Sequence, residues 1–314
     1  MKIEPAASPA SARLIPSDAG SELLFHGLAP DELAACLGQG RRPRPWNVPR
    51  QIQVGLPGDD IQNEPGTPSI EHELEDGRVL IESGAPARVN VSDAHAAPEF
   101  PMPKSLMLGI SQQWARRGRI SLHAAAIELH RRRLLVIGES GAGKSTLALS
   151  ALAMGGRLVS DDWLLLRLED QALHCTPLRD RMLLRTGPAS ATLLERIPES
   201  PLLEPAHLEK QWMDYRALGR GLPEITCEAL LYLVPAQPRP TSTRLTSVPV
   251  AEMYAALLNS TSALLFSNRL RAESEHLHQL ALNLVRLPNR KATCGTDLLD
   301  EPKRVWERVI DELF

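Results

Sequence analysis

The segment Leu134-Leu135-Val136-Ile137-Gly138-Glu139-Ser140-Gly141-Ala142-Gly143-Lys144-Ser145 constrains this chain more than any other. A β-forming run of Leu, Val and Ile leads into GxxxxGK[ST], and the apolar stretch Thr146–Met154 follows at helical length. Strand, glycine-rich loop and helix in that order build a nest of backbone N–H groups at a helix N-terminus. An anion held there gains hydrogen bonds and the positive end of the helix dipole. Glycines keep side chains out of the backbone's approach to phosphate, Lys144 is placed to reach the β- and γ-phosphates, and Ser145 offers a hydroxyl to Mg²⁺. The four fixed positions recur by chance in roughly one chain in a hundred of this length. The pattern predicts a nucleotide site over Gly138, Glu139, Ser140, Gly141, Ala142, Gly143, Lys144, Ser145 and Thr146, with ATP and Mg²⁺ as its ligands.

Such a loop needs a group to handle the cation and another to handle a nucleophile. Gly155-Gly156 stop the loop helix, and Leu158–Val159 form a short strand that runs into Ser160-Asp161-Asp162. Strand, helix and strand predict a βαβ unit with a parallel sheet. In a doubly wound sheet, that order sets Asp161 and Asp162 at the carboxyl edge, beside the phosphates. One carboxylate would then accept the proton of an attacking hydroxyl while the other coordinates Mg²⁺, directly or through water. His123 opens the strand that precedes the loop hairpin, and spacing alone leaves open whether that end reaches the carboxylates. His130-Arg131-Arg132-Arg133 reads as a solvated turn between strands at His123–Leu129 and Leu134–Ile137.

The remaining chain sets the frame. Its 314 residues suit a core domain with a smaller companion, and 43% hydrophobic with 23% charged residues is ordinary for a globular protein. A net charge of -3 gives no global field toward nucleic acid or an anionic membrane. No window approaches the length of a membrane span, no signal peptide is apparent, and the four cysteines lack metal-type spacing. The expectation is a cytoplasmic protein with buried free thiols. Residues 1–20, rich in Ala, Ser and Pro, read as a flexible tail, and residues 21–104 as a small, mostly β lobe. That lobe carries short strands at Gln51–Val54, Glu71–Leu74, Val79–Glu82 and Ala87–Val91, with a boundary at Ala97–Pro103. Residues 105–314 then form an α/β domain opened by a helix at Ser105–Arg117. Further strands are expected at Trp163–Leu168 and Leu230–Val234, and helices at Ala251–Leu258, Glu273–Val285 and Pro302–Leu313.

His123 in Leu122-His123-Ala124-Ala125, the loop from Gly138 and the pair in Val159-Ser160-Asp161-Asp162-Trp163 together resemble the catalytic domain of the HPr kinase/phosphorylase family. The likeness covers about His123–Leu168 and implies a P-loop kinase domain of the HPr kinase and phosphoenolpyruvate carboxykinase type. By resemblance Asp161 is the general base toward a serine hydroxyl of a protein or peptide, His123 assists it, and Lys144, Ser145 and Asp162 serve phosphate and Mg²⁺. Lys210 is a candidate for the basic residue that approaches the phosphates from a later loop. Relatives assemble into multimers, so a homo-oligomer is among the expectations. The segment that bifunctional members use for phosphorolysis is not found, and Tyr215–Gly221 is only a faint echo of it. That points to a kinase-only homologue, similar to those that phosphorylate a partner protein or a ribosomal precursor peptide. The carboxykinases themselves are far longer and carry substrate segments that this chain lacks. Two other readings stand beside the kinase: a non-catalytic nucleotide-binding module, and a kinase of a small-molecule hydroxyl. Arg179, Arg181 and Arg185 read either as a greeting for an acidic acceptor or as a solvated strand edge.

Overall fold

A computed structural model describes residues 2–6, 11–15, 22–36, 50–56, 69–74, 77–82, 86–91, 103–179, 181–199, 203–205, 209–261 and 271–314. The chain divides into two compact units, Met1–Ile120 with Leu264–Leu277 and Ser121–Ala263 with His278–Phe314.

In the first unit, β1 (Lys2–Pro5), β2 (Ser11–Ile15), β3 (Leu23–His26), β4 (Arg50–Gly55), β5 (Ser69–Leu74), β6 (Gly77–Glu82) and β7 (Ala87–Val91) form one antiparallel sheet, with α1 (Pro30–Cys36) between β3 and β4 in sequence. Its order is β1-β2-β3-β4-β7-β6-β5. Helix α2 (Lys104–Ala115) packs on β7, β6 and β4. Two expectations change here. The stretch read as a flexible tail supplies two paired strands, because Ala12 and Leu14 alternate onto the buried face of β2. Its Ala, Ser and Pro content hid that period of two. The helix that was to open the second domain instead packs on the first unit's sheet, and that unit runs to Ile120. Most of the expected linker, residues 97–102, lies outside the described residues.

The second unit takes up the chain at β8 (Arg119–His123), followed by β9 (Ala125–Leu129), β10 (Arg132–Gly138), α3 (Lys144–Ala153), β11 (Arg157–Ser160), β12 (Trp163–Glu169) and β13 (Ala172–Pro177). Then come β14 (Met182–Arg185), α4 (Pro188–Leu194), β15 (Leu203–Pro205), β16 (Lys210–Met213), β17 (Ile225–Thr226), β18 (Ala229–Leu233) and β19 (Arg244–Thr246). The chain closes with α5 (Val250–Ser260), α6 (Arg271–Arg286), β20 (Asn289–Thr293), α7 (Asp297–Asp300) and α8 (Pro302–Leu313).

The result is a mixed α/β architecture. A six-stranded sheet has the order β11-β9-β10-β18-β20-β19, beside a four-stranded sheet β17-β13-β12-β8 and a three-stranded sheet β14-β16-β15. Strands β10, β18 and β20 run parallel. Strand β9 is antiparallel to both β10 and β11 and lies between them, so the expected βαβ unit keeps its direction but not its adjacency. The cause is the tight turn at His130 and Arg131, both with positive φ, which folds β9 onto the edge of β10 before α3 begins. The turn itself is His130-Arg131, while Arg132 and Arg133 begin β10, with Arg131 and Arg132 exposed and Arg133 half-buried.

Helix α3 is buried from Leu147 to Leu152, as its all-round apolarity predicts. Behind it the C-terminal helix α8 inserts Trp306, whose indole N–H donates to the buried Ser150 hydroxyl at 2.9 Å. Among the described residues, no helix is long and apolar enough to cross a membrane.

Candidate active site

The carboxyl ends of β10 and β11 point to one edge because both oppose β9, and three chain segments meet there. The first is the loop. Gly141 and Gly143 have φ of +82° and +106°, a region that disfavours any Cβ, and Gly143 stands as the residue just before α3. At Gly138 a Cβ would come within 2.5 Å of the Leu233 carbonyl on β18, so only glycine lets the loop leave the sheet at this point. Lys144 is 5% exposed and folds back on its own loop, its Nζ donating to the Gly138 carbonyl at 2.7 Å and to the Glu139 carbonyl at 3.2 Å. Burial lowers its pKa, against the opposing charges of Asp162 and Asp161. Glu139, Ser140 and Gly141 are exposed at the mouth of the loop, and Ser145 and Thr146 are half-buried on the first turn of α3.

The second segment carries the carboxylates. The register of β11 on β9 slips between Leu158 and Ser160, leaving Val159 as an extra residue. Such a bulge bends a strand and re-aims the side chains beyond it. The spare Val159 carbonyl accepts the Tyr215 hydroxyl at 2.9 Å, and Asp161 and Asp162 come directly after Ser160.

The two carboxylates sit in different surroundings. Asp161 is 2% exposed and receives the Ser145 hydroxyl, while its Oδ1 has no hydrogen-bond partner among the described residues. Burial, and then the charge of Asp162, push its pKa up to about 7. Asp162 has both oxygens engaged: Oδ1 lies 3.2 Å from His123 Nε2, and Oδ2 accepts from the Arg179 guanidinium. Burial would raise its pKa, but Arg179 and His123 outweigh that and hold it well below the usual carboxylate range. Neighbouring acids with pKa values driven apart are the arrangement expected where one carboxyl handles protons and the other stays charged.

The third segment is the turn into β9. The β9 register pairs Ala125 with Val136 and Ala126 with Ser160, which sets His123 at the carboxylate edge. The Ala124 N–H donates to the Asp162 carbonyl at 2.8 Å and fixes the two turns together. The His123 ring stacks on Trp163, with centroids 5.6 Å apart. His123 therefore reaches the pair, through Asp162 and not through Asp161 as the resemblance implied.

The structure brings His123, Lys144, Ser145, Asp161 and Asp162 into one cluster and adds Arg179. That side chain is 6% exposed; its guanidinium lies over the Trp212 ring at 5.7 Å, and its carbonyl accepts from Tyr215 at 3.4 Å. Neither a solvated edge nor a surface greeting describes it. Arg181 pairs with Glu204 at 2.8 Å, and Arg185 is exposed. Lys210 opens β16 and stands across from Arg185 in the ladder, and the arginine bonded to Asp162 is Arg179. Only the spatial meeting of residues 162, 179 and 212 singles Arg179 out, and no local motif carries that signal.

Among the described residues, no group of three His, Cys, Asp or Glu side chains forms a self-sufficient metal site.

No family model matches the chain. The HPr kinase/phosphorylases of Xanthomonas campestris pv. campestris (strain B100) and Xanthomonas oryzae pv. oryzae (strain PXO99A) are each 48% identical to it over 44 residues, which is 14% of this chain and 14% of the relative. The chain therefore matches about one seventh of the length of these curated relatives. The solved Hpr(Ser) kinase/phosphatase of Coxiella burnetii aligns over 41% of this chain and 77% of its own, with 18% identity and a TM-score of 0.26, too slight a likeness to argue from. The curated relatives support an HPr kinase-like family.

Proposed function

We propose that this HPr kinase-like chain transfers the γ-phosphoryl group of ATP to a serine or similar hydroxyl of a protein or peptide, with Asp161 as general base. One observation carries the reading: a buried carboxyl with its pKa near 7 and one unpartnered oxygen stands beside the phosphate loop. A proton acceptor works best with a pKa near the working pH. A nucleotide-binding module without chemistry has no use for an uncompensated acid in that position.

The loop backbone and Lys144 would hold the β- and γ-phosphates once Nζ leaves the Gly138 and Glu139 carbonyls. The Ser145 hydroxyl is a hard donor that fits Mg²⁺, which when bound neutralises developing charge on the phosphates. Asp162, with both oxygens engaged, would serve the cation through water. Asp161 Oδ1 takes the proton of the incoming hydroxyl. Asp162 stays ionised under Arg179 and His123, and its charge keeps Asp161 basic enough to act. Little covalent work falls to the protein, so positioning and charge placement supply the rate.

The test is label transfer from γ-labelled ATP with Mg²⁺ to serine-bearing peptides, to HPr and to small hydroxyl compounds. Lys144→Ala and Asp161→Asn serve as controls. Label on a peptide or protein serine, lost in both variants, supports the proposal. Label on a small hydroxyl compound alone would move the acceptor class. ATP binding with no transfer to any acceptor would leave a nucleotide-binding module.

A further inference from the structure

Cys175 and Cys227 are 52 positions apart, with no motif linking them, yet their sulfurs lie 2.9 Å from one another. A bonded pair sits at about 2.05 Å, so this separation falls between a bond and an ordinary contact. Both thiols are free and buried, at 0% and 4% exposure. The backbone explains the meeting. Strand β13 pairs with β17 in the register His174↔Thr226 and Cys175↔Ile225, and the Cys227 N–H donates to the Leu173 carbonyl at 2.7 Å. Cys227 thus stands beside Leu173, diagonal to Cys175 on the same face of the pair.

We propose that Cys175 and Cys227 are an oxidative modification site, closing to an intramolecular disulfide with a small peroxide as oxidant. Cys227, the slightly more exposed thiol, attacks one peroxide oxygen, breaking the O–O bond to give a sulfenic acid and one molecule of water or alcohol. The Cys175 sulfur then attacks the sulfenic sulfur, forming the S–S bond and expelling water. The two thiols are oxidised by two electrons together, and the peroxide is reduced by two. The bond clasps a segment that matters to the site described above. The enclosed loop contains Arg179, Trp212 and Tyr215, which together hold Asp162 and the β11 bulge. Between Cys227 and β18, the Glu228 carboxylate binds Arg133 of β10 at 2.8 Å. Oxidation would tie the strand leading to Arg179 to the strand beside the phosphate loop.

The experiment treats the reduced full chain with hydrogen peroxide, denatures it in excess alkylating reagent, and reads mass and linked peptides. All four cysteines alkylate before oxidation. The expected result after oxidation is two fewer alkyl groups, a peptide joining residues 175 and 227, and a thermal midpoint raised by roughly 5–10 °C. The single variants Cys175→Ser and Cys227→Ser should each lose the linked peptide and the rise. Four alkylated cysteines after treatment, a linkage between other residues, or a bond with no rise in midpoint would overturn the proposal.

Discussion

Replacing Asp161 with Asn should stabilise the protein at alkaline pH, by an amount that the site's electrostatics set. The folded pKa of Asp161 is about 7 against an ordinary 3.8. A raised carboxyl pKa means that the native state keeps a proton which the unfolded chain gives up between those values, so stability falls as pH rises through that window. Each unit is worth about 1.36 kcal/mol, and the 3.2 units between 3.8 and 7 give about 4 kcal/mol in full. Between pH 5 and pH 7 the share is about 2 kcal/mol, because the slope flattens as pH approaches the folded pKa. Asparagine has nearly the same volume and no charge to bury, and any change in its hydrogen bonding to Ser145 is a constant offset with pH. Urea unfolding of both proteins from pH 5 to pH 8, followed by tryptophan fluorescence, reads the difference directly, and groups common to both cancel. The variant should gain steadily on the wild type up to pH 7 and then hold level. A flat difference across the range, or a wild type that gains on the variant, would refute the burial argument for Asp161.

Three further outcomes are expected from the same cluster and its support. Lys144→Ala should weaken ATP binding roughly 10–100-fold by calorimetry, the worth of a charge-assisted contact to phosphate, with little change in folding. Arg179→Ala leaves the Asp162 carboxylate without its main partner and should cost about 3 kcal/mol at neutral pH. Because the folded pKa of Asp162 is depressed, that loss should shrink as pH falls below the ordinary aspartate range, read as urea midpoints against pH. Trp306→Phe removes the bond to Ser150 behind α3 and should cost about 1–2 kcal/mol while leaving ATP affinity unchanged, separating support of the helix from the site itself.

The parts of the site that lie in one local run of chain were legible beforehand. The segments around the loop and the Asp161-Asp162 turn are specified by glycine placement, an apolar run and a short strand, and β10, α3 and β11 lie where those features put a strand, a helix and a strand. It was the pairing that required the folded chain. His123 reaches Asp162 only because β9 inserts between β10 and β11, a consequence of two positive-φ residues at His130 and Arg131 that composition does not reveal. Arg179 lies just before β14, Trp212 within β16 and Tyr215 just after it, and strands of four residues hold too little periodicity to read. In the first unit β1 and β2 were hidden by their Ala, Ser and Pro surroundings, although Ala12 and Leu14 alternate correctly. The pairing of Cys175 with Cys227 belongs to the same class: adjacent on a sheet face and remote in sequence.

The account rests on Asp161 as the group that accepts the proton, and a single-turnover transfer rate against pH tests that most directly. With nucleotide saturating and a serine-bearing acceptor in excess, the wild-type rate should rise with pH as Asp161 gives up its proton, and Asp161→Asn should lose that rise. Asp161→Asn should bind ATP within a few-fold of wild type yet transfer at least about 100-fold more slowly, the contribution typical of a positioned base. An Asp161→Asn protein that transfers phosphoryl groups at the wild-type rate, with the same pH profile, would contradict it.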